Sequence, residues 1–104
     1  MTRMSEMSRE ELEREMRRLL AEARKKEQAG FISEANILEQ KFYMAKSYLM
    51  DPAEIKIGGT YRVVGEKGIF TVEYINGVFA WGKLDTSPEE RGFPIGRLEE
   101  VKEN

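Results

Sequence analysis

The chain contains no histidine and no cysteine in its 104 residues. The first absence removes the usual general base near neutral pH, and the second removes the thiol nucleophile. Together they exclude nearly every zinc, copper, haem or iron–sulfur site, because proteins bind these metals mainly through imidazole or thiolate. Catalysis would have to rest on carboxylates, hydroxyls or lysines. We therefore expect a protein that is not an enzyme and that binds no metal and no cofactor.

Long apolar runs and an excess of one charge are also missing. No stretch approaches the roughly 20 apolar residues of a bilayer-spanning helix, and the segment from Met1 to Glu10 has no basic-then-apolar leader. The 17 basic and 19 acidic residues give a net charge of −2, too small a field to draw the whole molecule to nucleic acid or to an anionic membrane. These features predict a cytoplasmic protein with one hydrophobic core and no membrane partner.

The N-terminal half has the pattern of two helices joined by a tight turn. Ser8 and Glu11 have the spacing of a capping box, which predicts a helix that begins there after a frayed segment at Met1–Met7. Gly30 ends this helix, because glycine takes the left-handed C′ conformation without a Cβ penalty. A second helix follows and stops at Asp51-Pro52. Such a short connection predicts an antiparallel helical hairpin.

The second helix carries two adjacent apolar ridges. The first consists of Ala35, Leu38, Phe42, Ala45 and Leu49, and the second of Ile37, Met44 and Tyr48. One ridge is expected to pack on helix 1, and the other on the C-terminal half or on a second subunit. If the second ridge is left uncovered, we expect a homodimer through helix 2.

A β-hairpin is predicted from Ile69 to Leu84, because Asn76-Gly77 between two β-rich runs is typical of a type I′ turn. In that register Ile75 lies opposite Val78. One face then carries Phe70, Val72, Tyr74, Phe79 and Trp81, and the other carries Ile69, Thr71, Glu73, Ile75, Val78, Ala80 and Leu84. Both faces are largely apolar, so we expect other parts of the chain to cover both.

Shorter strands are predicted on either side of this hairpin, at Thr60–Val64, at Phe93–Ile95 and near Glu99–Val101. The polar stretch Asp85–Gly92 reads as a loop. Four or five short strands with tight turns are too few for a sandwich and favour a small, strongly bent barrel.

Several segments make the chain resemble the YfhH family of small proteins from Gram-positive bacteria. They are Ala23-Arg24-Lys25, Glu27-Gln28-Ala29-Gly30, Leu38-Glu39, Met44-Ala45-Lys46, Tyr74–Gly82, Pro94-Ile95 and Leu98. The resemblance implies a helical hairpin followed by an SH3-like barrel. The family carries a transcriptional-regulator label and no established catalytic residues, so it implies no site.

The predicted fold class is therefore α+β, with an N-terminal antiparallel helical hairpin at residues 1–52 packed on a C-terminal SH3-like small β-barrel at residues 53–104. The linker at Asp51–Glu54 is too short for independent halves, so we expect one folding unit.

Aromatic side chains are the first group of candidate binding residues. Phe70, Tyr74, Phe79 and Trp81 have the residue types of a base-stacking or peptide-binding surface, but small barrels need large inward side chains, so we expect most of this set to fill the core. Amphipathic rings near strand ends and loops can reach solvent, which makes candidates of Tyr61, Trp81 and Phe93.

Basic residues on helix 1 are the second group. Opposite its apolar stripe lie Arg14, Arg17, Arg18, Arg24 and Lys25. This face is a candidate contact for phosphates, although glutamates among these residues make an ordinary solvated surface the competing interpretation.

Acidic residues do not form a predicted site. Asp85, Glu89 and Glu90 lack the spacing of an EF-hand loop and read as a solvated turn. Glu73 is the one charge among the apolar positions of the hairpin, and either pairs with Arg62 or Lys83 or marks a gap in the cover.

Two functions are consistent with these features. The first is a protein-binding adaptor or regulatory module with an unknown protein partner, and the alternative is a nucleic-acid-associated regulator that uses helix 1 and the barrel.

Overall fold

The computed structural model describes residues 3–102, which form two helices and a five-stranded antiparallel sheet. The predicted α+β class is confirmed. The chain forms two compact units, with the boundary between Leu49 and Met50. Neither of the two helices is long and apolar enough to cross a membrane.

The first unit is the predicted helical hairpin. Helix α1 spans Arg9–Gln28, and its first turn is closed by the predicted capping box, in which the Glu11 amide donates to Ser8 Oγ at 3.2 Å and the Ser8 amide donates to Glu11 Oε1 at 3.3 Å. Upstream, Met4–Glu6 form one turn of 3-10 helix where we expected a frayed segment, and positions 1 and 2 lie outside the described residues.

Gly30 ends α1 as predicted. Its φ is +86°, its amide donates to the Glu27 carbonyl, and the Phe31 amide donates to the Lys26 carbonyl, which together form a Schellman motif. Helix α2 then spans Ile32–Leu49 and packs along α1. The buried hydrophobic residues of this unit are Leu12, Leu19, Ala23, Ala35 and Ala45.

The second unit contains the sheet. Its strands are β1 (Thr60–Val63), β2 (Phe70–Asn76), β3 (Phe79–Leu84), β4 (Glu90–Pro94) and β5 (Leu98–Glu100), in the order β4-β3-β2-β1-β5. Strand β4 therefore begins inside the stretch predicted as a loop. The edge strands β4 and β5 are joined by a 3-10 turn at Ile95–Arg97 and do not pair with each other, so a closed barrel is not confirmed.

The predicted turn is displaced by one residue, and each predicted cross-strand partner is displaced by two, since Ile75 lies opposite Ala80 rather than Val78. Asn76 lies opposite Phe79, so the two turn residues are Gly77 and Val78 rather than Asn76 and Gly77. Gly77 has a φ of +62°, and no other residue type among the described residues has a positive φ. A turn that begins with glycine at positive φ has the pattern of type II′, which needs no left-handed asparagine.

A β-bulge in β2 changes the two faces of the sheet. Val72 lies opposite Gly82, but Tyr74 lies opposite Trp81, so the extra residue is Glu73. The bulge places Phe70 and Val72 on the same face as Ala80 and Leu84, whereas Tyr74 and Trp81 remain on the other face. The predicted grouping of Phe70 and Val72 with Tyr74 and Trp81 is therefore wrong.

The hydrophobic core of the second unit follows from this arrangement. It consists of Ile55, Tyr61, Val63, Phe70, Val72, Ala80, Leu84, Phe93, Ile95 and Leu98. The rings of Phe70 and Phe93 meet edge to face with centroids 5.1 Å apart. The opposite side of β2, β3 and β4, which we call the outer face, carries Tyr74, Trp81 and Gly92 in one cross-strand row.

Candidate functional site

The outer face presents two aromatic side chains next to each other. Tyr74 is 45% exposed and Trp81 is partly exposed. Their rings are nearly parallel, with planes 8° apart and centroids separated by 6.2 Å. We call this pair the aromatic surface. We expected both faces of the hairpin to be covered. This expectation is wrong for the outer face, because the ring of Tyr74 reaches solvent.

The indole of Trp81 lies directly against the backbone of Gly92. A Cβ at this position would lie 2.7 Å from Trp81 Cε2 and Cζ2 and 2.8 Å from Cδ2. These three atoms span the middle of the indole, so the ring lies across the backbone of β4 where only a glycine leaves room. One face of the indole is thereby fixed against the sheet.

Tyr74 is held by its hydroxyl. The ring extends from β2 toward β4, where the Tyr74 hydroxyl donates a hydrogen bond of 2.7 Å to Glu90 Oε1. This bond to the carboxylate raises the pKa of Tyr74 above its ordinary value of 10.0, and partial desolvation and the charges of Glu90 and Glu73 act in the same direction. The tyrosine therefore remains neutral and donating throughout the physiological pH range.

The charges around the aromatic surface are mostly negative. Glu73 and Glu90 are exposed, and the one basic residue in the neighbouring row is Lys83, which lies opposite Glu90. Glu73 forms no ion pair among the described residues, so the predicted pairing with Arg62 or Lys83 is not seen. The surface therefore combines aromatic rings with carboxylates.

The comparisons with known proteins agree with the sequence resemblance. The chain matches the model of a family of proteins of unknown function, DUF1811, over residues 2–99. It belongs to the DUF1811 family. It is also 46% identical over 99 residues to the uncharacterised protein YfhH of Bacillus subtilis (strain 168), an alignment that covers 94% of this chain and 95% of that protein. The predicted resemblance to YfhH is confirmed, and neither name states a ligand or an activity.

Two of the three aromatic candidates lie in the core. Tyr61 is 8% and Phe93 is 2% exposed, so the expectation that they reach solvent is wrong. The Tyr61 hydroxyl accepts a hydrogen bond of 2.9 Å from the Lys56 amide, which satisfies its polar end inside the unit. Of the predicted trio, only Trp81 is part of the aromatic surface.

Two guanidinium groups lie against the Phe93 ring. The Cζ atoms of Arg91 and Arg97 are 4.8 and 5.2 Å from its centroid. Arg91 also pairs with Glu66 at 2.5 Å, and Arg97 donates to the Val64 carbonyl from Nε at 3.2 Å and from Nη2 at 2.6 Å. These contacts tie the start of β4 and the turn that follows β4 to the segment after β1, so both arginines have a structural role.

The basic candidates of helix 1 all lie exposed on α1. Arg14, Arg17, Arg18, Arg24 and Lys25 share the side opposite the buried stripe. Arg18 pairs with Glu15, and the other four form no ion pair within residues 3–102. The helix carries seven basic and six acidic residues from Arg9 to Gln28, so its overall field is weak.

The second ridge of α2 lines a groove of about 450 Å³. Ile37 is 53% and Tyr48 is 36% exposed, and the groove also receives Met4 and Lys41. The homodimer through helix 2 stays a prediction. Light scattering at high protein concentration tests it, and a strict monomer would reject it.

The acidic loop has a structural function. Asp85 Oδ1 accepts a hydrogen bond of 2.9 Å from the Ile69 amide, and the Asp85 amide donates to the Ile69 carbonyl, which closes the base of the hairpin. Glu90 lies in β4 and holds Tyr74. The prediction of a solvated turn thus missed both partners.

Sequence reasoning missed Tyr74, Glu90 and Gly92 as site residues. Gly92 gave no signal of a site residue, because it closes a polar stretch that reads as a loop, where glycine is an ordinary turn residue. The exposed position of Tyr74 depends on the bulge at Glu73, for which that isolated charge was the signal.

Proposed function

We propose that this chain is a non-enzymatic protein-binding module, an adaptor or regulatory domain, whose partner binds on the outer face of β2–β4. The observation that carries this proposal is the aromatic surface, in which two nearly parallel rings lie on a sheet face and Tyr74 is 45% exposed. Tyrosine and tryptophan are the side chains most enriched at the energetic centres of protein interfaces.

The fixed position of both rings supports this proposal. Trp81 lies on the backbone at Gly92, and Tyr74 is tied to Glu90 across β3. Groups that are already held in place lose little conformational entropy when a partner binds.

We also propose that the second unit has an SH3-like arrangement with unpaired edges. Support comes from the strand order β4-β3-β2-β1-β5 and from the 3-10 turn that joins β4 to β5. SH3 domains bind extended peptides in grooves lined by aromatic side chains. An analogy between folds supports peptide binding less strongly than the geometry of the aromatic surface does.

Trp81 provides a direct assay, since it is the one tryptophan of the chain. Short random peptides displayed on phage would be selected against the full-length protein and then titrated while tryptophan emission is recorded. We expect selected peptides to change the Trp81 emission, and we expect Tyr74→Ala to weaken their binding about tenfold.

Phe31→Ala is the matched control, because Phe31 is an exposed aromatic residue of the first unit that lies outside the second ridge of α2. Its binding is expected to equal that of the parent protein. Selected peptides that bind Tyr74→Ala as tightly as the parent, without any change in emission, would place the interface elsewhere and refute the proposal. The absence of any enriched peptide would count against peptide binding altogether.

The second candidate function is nucleic-acid binding by α1. It is favoured by the four exposed basic side chains that form no ion pair within residues 3–102, and it is opposed by the six acidic residues of the same helix. Anisotropy of labelled single-stranded and duplex oligonucleotides, at low and then physiological salt, tests it. Binding that falls steeply with salt and is reduced by Arg14→Glu and Lys25→Glu would favour this function over the first.

A further inference from the structure

The ring geometry leaves free faces for a ligand. If the planes of Tyr74 and Trp81 were at a contact separation of about 3.5 Å, a centroid distance of 6.2 Å would correspond to a lateral offset of about 5 Å, nearly a full ring width. At that contact separation the two rings overlap little. The indole has its lower face on Gly92, so its opposite face is the one available to a ligand.

The surrounding charges favour a positively charged ligand. The face of an aromatic ring carries negative potential, and Glu73 and Glu90 add two carboxylates against the single ammonium of Lys83. The hydrogen bond to Glu90 is the main cause of the raised pKa of Tyr74, and the charges of Glu90 and Glu73 add to it. A phosphate would be repelled here, whereas a cation would be attracted twice, by the rings and by the carboxylates.

The shape of the surface selects among cations. Because the two rings are nearly parallel, they do not form the crossed walls of an aromatic cage that would enclose a compact, strongly hydrated ammonium group. A guanidinium is planar, is weakly hydrated and stacks on aromatic faces while its edge pairs with a carboxylate. The other side of the same sheet already holds such contacts, since Arg91 and Arg97 lie at 4.8 and 5.2 Å from the Phe93 centroid.

We propose that the aromatic surface binds an arginine side chain of the partner protein, with the guanidinium stacked on the rings of Tyr74 and Trp81 and paired with Glu73. Glu73 is the carboxylate available for this pair, because Glu90 is engaged by the Tyr74 hydroxyl. This inference rests on the proposed protein-binding function and names the residue type that the surface recognises.

Blocked tripeptides test the inference on the full-length protein. The probes are acetyl-Gly-Arg-Gly-amide, the same peptide with lysine, and the same peptide with citrulline, which keeps the planar shape of arginine and lacks its charge. Uridine monophosphate is the fourth probe. The readouts are tryptophan emission and the indole N–H resonance of Trp81. We expect the arginine peptide to bind best and the citrulline peptide about two- to fivefold more weakly.

Two variants locate the carboxylate. Glu73→Gln is expected to reduce the preference for arginine over citrulline by about twofold, as is usual for an exposed charge pair. Glu54→Gln removes an exposed carboxylate of the turn at Pro52–Glu54 and is expected to leave the preference unchanged.

The outcomes separate this inference from the proposed function. Equal binding of arginine and citrulline, or stronger binding of the nucleotide, would overturn the arginine inference. A preference for arginine that Glu73→Gln leaves intact would overturn the pairing with Glu73. If none of the four probes shifts Trp81 while phage-selected peptides do, the inference fails and the protein-binding function stands; if the selected peptides also fail, both are rejected.

Discussion

Replacing Gly82 with alanine tests the bulge on which the aromatic surface depends. Gly82 lies opposite Val72, at the point where the register of β2 shifts. A Cβ there would overlap the Thr71 carbonyl oxygen and would lie 2.9 Å from the Thr71 carbonyl carbon and 3.1 Å from the Glu73 amide nitrogen. All three are backbone atoms of β2, so no side-chain rotation relieves the overlap. Strand β2 must move away from β3 or lose its bulge.

The expected cost is large for a single methyl group. Overpacking costs about 1–3 kcal/mol when neighbouring side chains can adjust, and here the backbone must move, so we expect Gly82→Ala to lower the free energy of unfolding by about 3 kcal/mol or more. For a domain of this size 1 kcal/mol corresponds to about 4–8 °C in Tm, which gives a decrease of about 12–24 °C. Thermal unfolding followed by far-UV circular dichroism measures it.

Gly77→Ala is the matched control for this experiment. A Cβ at Gly77 would have no atom within 4 Å, although its φ is +62°. This variant therefore introduces only the strain of an L side chain at positive φ, which costs about 1–2 kcal/mol. If Gly82→Ala were no less stable than Gly77→Ala, the close approach of β2 to Gly82 would be refuted, and with it our account of why Tyr74 lies on the outer face.

Three further predictions concern the N-cap of α1, the contact between Arg97 and the Val64 carbonyl, and the hydroxyl of Tyr74. Ser8→Ala should lower the free energy of unfolding by about 1 kcal/mol in urea denaturation, and Ser8→Asp should restore it. Arg97→Lys removes the paired donation to the Val64 carbonyl and should cost about 1–3 kcal/mol in the same assay; full stability would contradict the role of the guanidinium. Glu90→Gln should lower the pKa of Tyr74 toward 10.0 in an ultraviolet titration, with Tyr74→Phe identifying its signal. Because the folded-state pKa is raised, this stabilisation is complete below pH 10.0 and is lost as pH rises through the folded value; an unchanged pKa in Glu90→Gln would contradict the hydrogen bond.

The helical half was predictable because its signals are local. The capping box needs only Ser8 and Glu11, and the C-terminal stop needs only Gly30, so each is encoded within one turn of helix. The choice of α+β class followed from the change of period after Asp51-Pro52. The exposed basic face of α1 was also predictable, because helical spacing alone separates it from the buried stripe.

The hairpin shows where local signals become insufficient. Asn76-Gly77 fits a type I′ turn, but Gly77-Val78 fits a type II′ turn equally well on the criterion of a glycine at positive φ. The two choices differ by one residue in the position of the turn and by two residues in the pairing of the strands. A shift of two keeps every side chain on the same face, so hydrophobic alternation cannot choose between the two turns, and only the strand pairing shows which one forms.

The candidate site was missed for a related reason, since alternation counted through a bulge assigns every residue beyond it to the wrong face. Alternation counted from the turn back along β2 placed Phe70 and Val72 on the same face as Tyr74. Glu73 is an extra residue that puts them on opposite faces. Two features of the sequence mark the irregularity: a lone charge in an apolar strand, and Gly82 on the facing strand at the position that must admit the bulged backbone. An isolated charge opposite a glycine is therefore a reason to count the two halves of a hairpin separately. Here such a count assigns Tyr74 to the exposed face and Phe70 to the core, as the pairing of β2 with β3 requires.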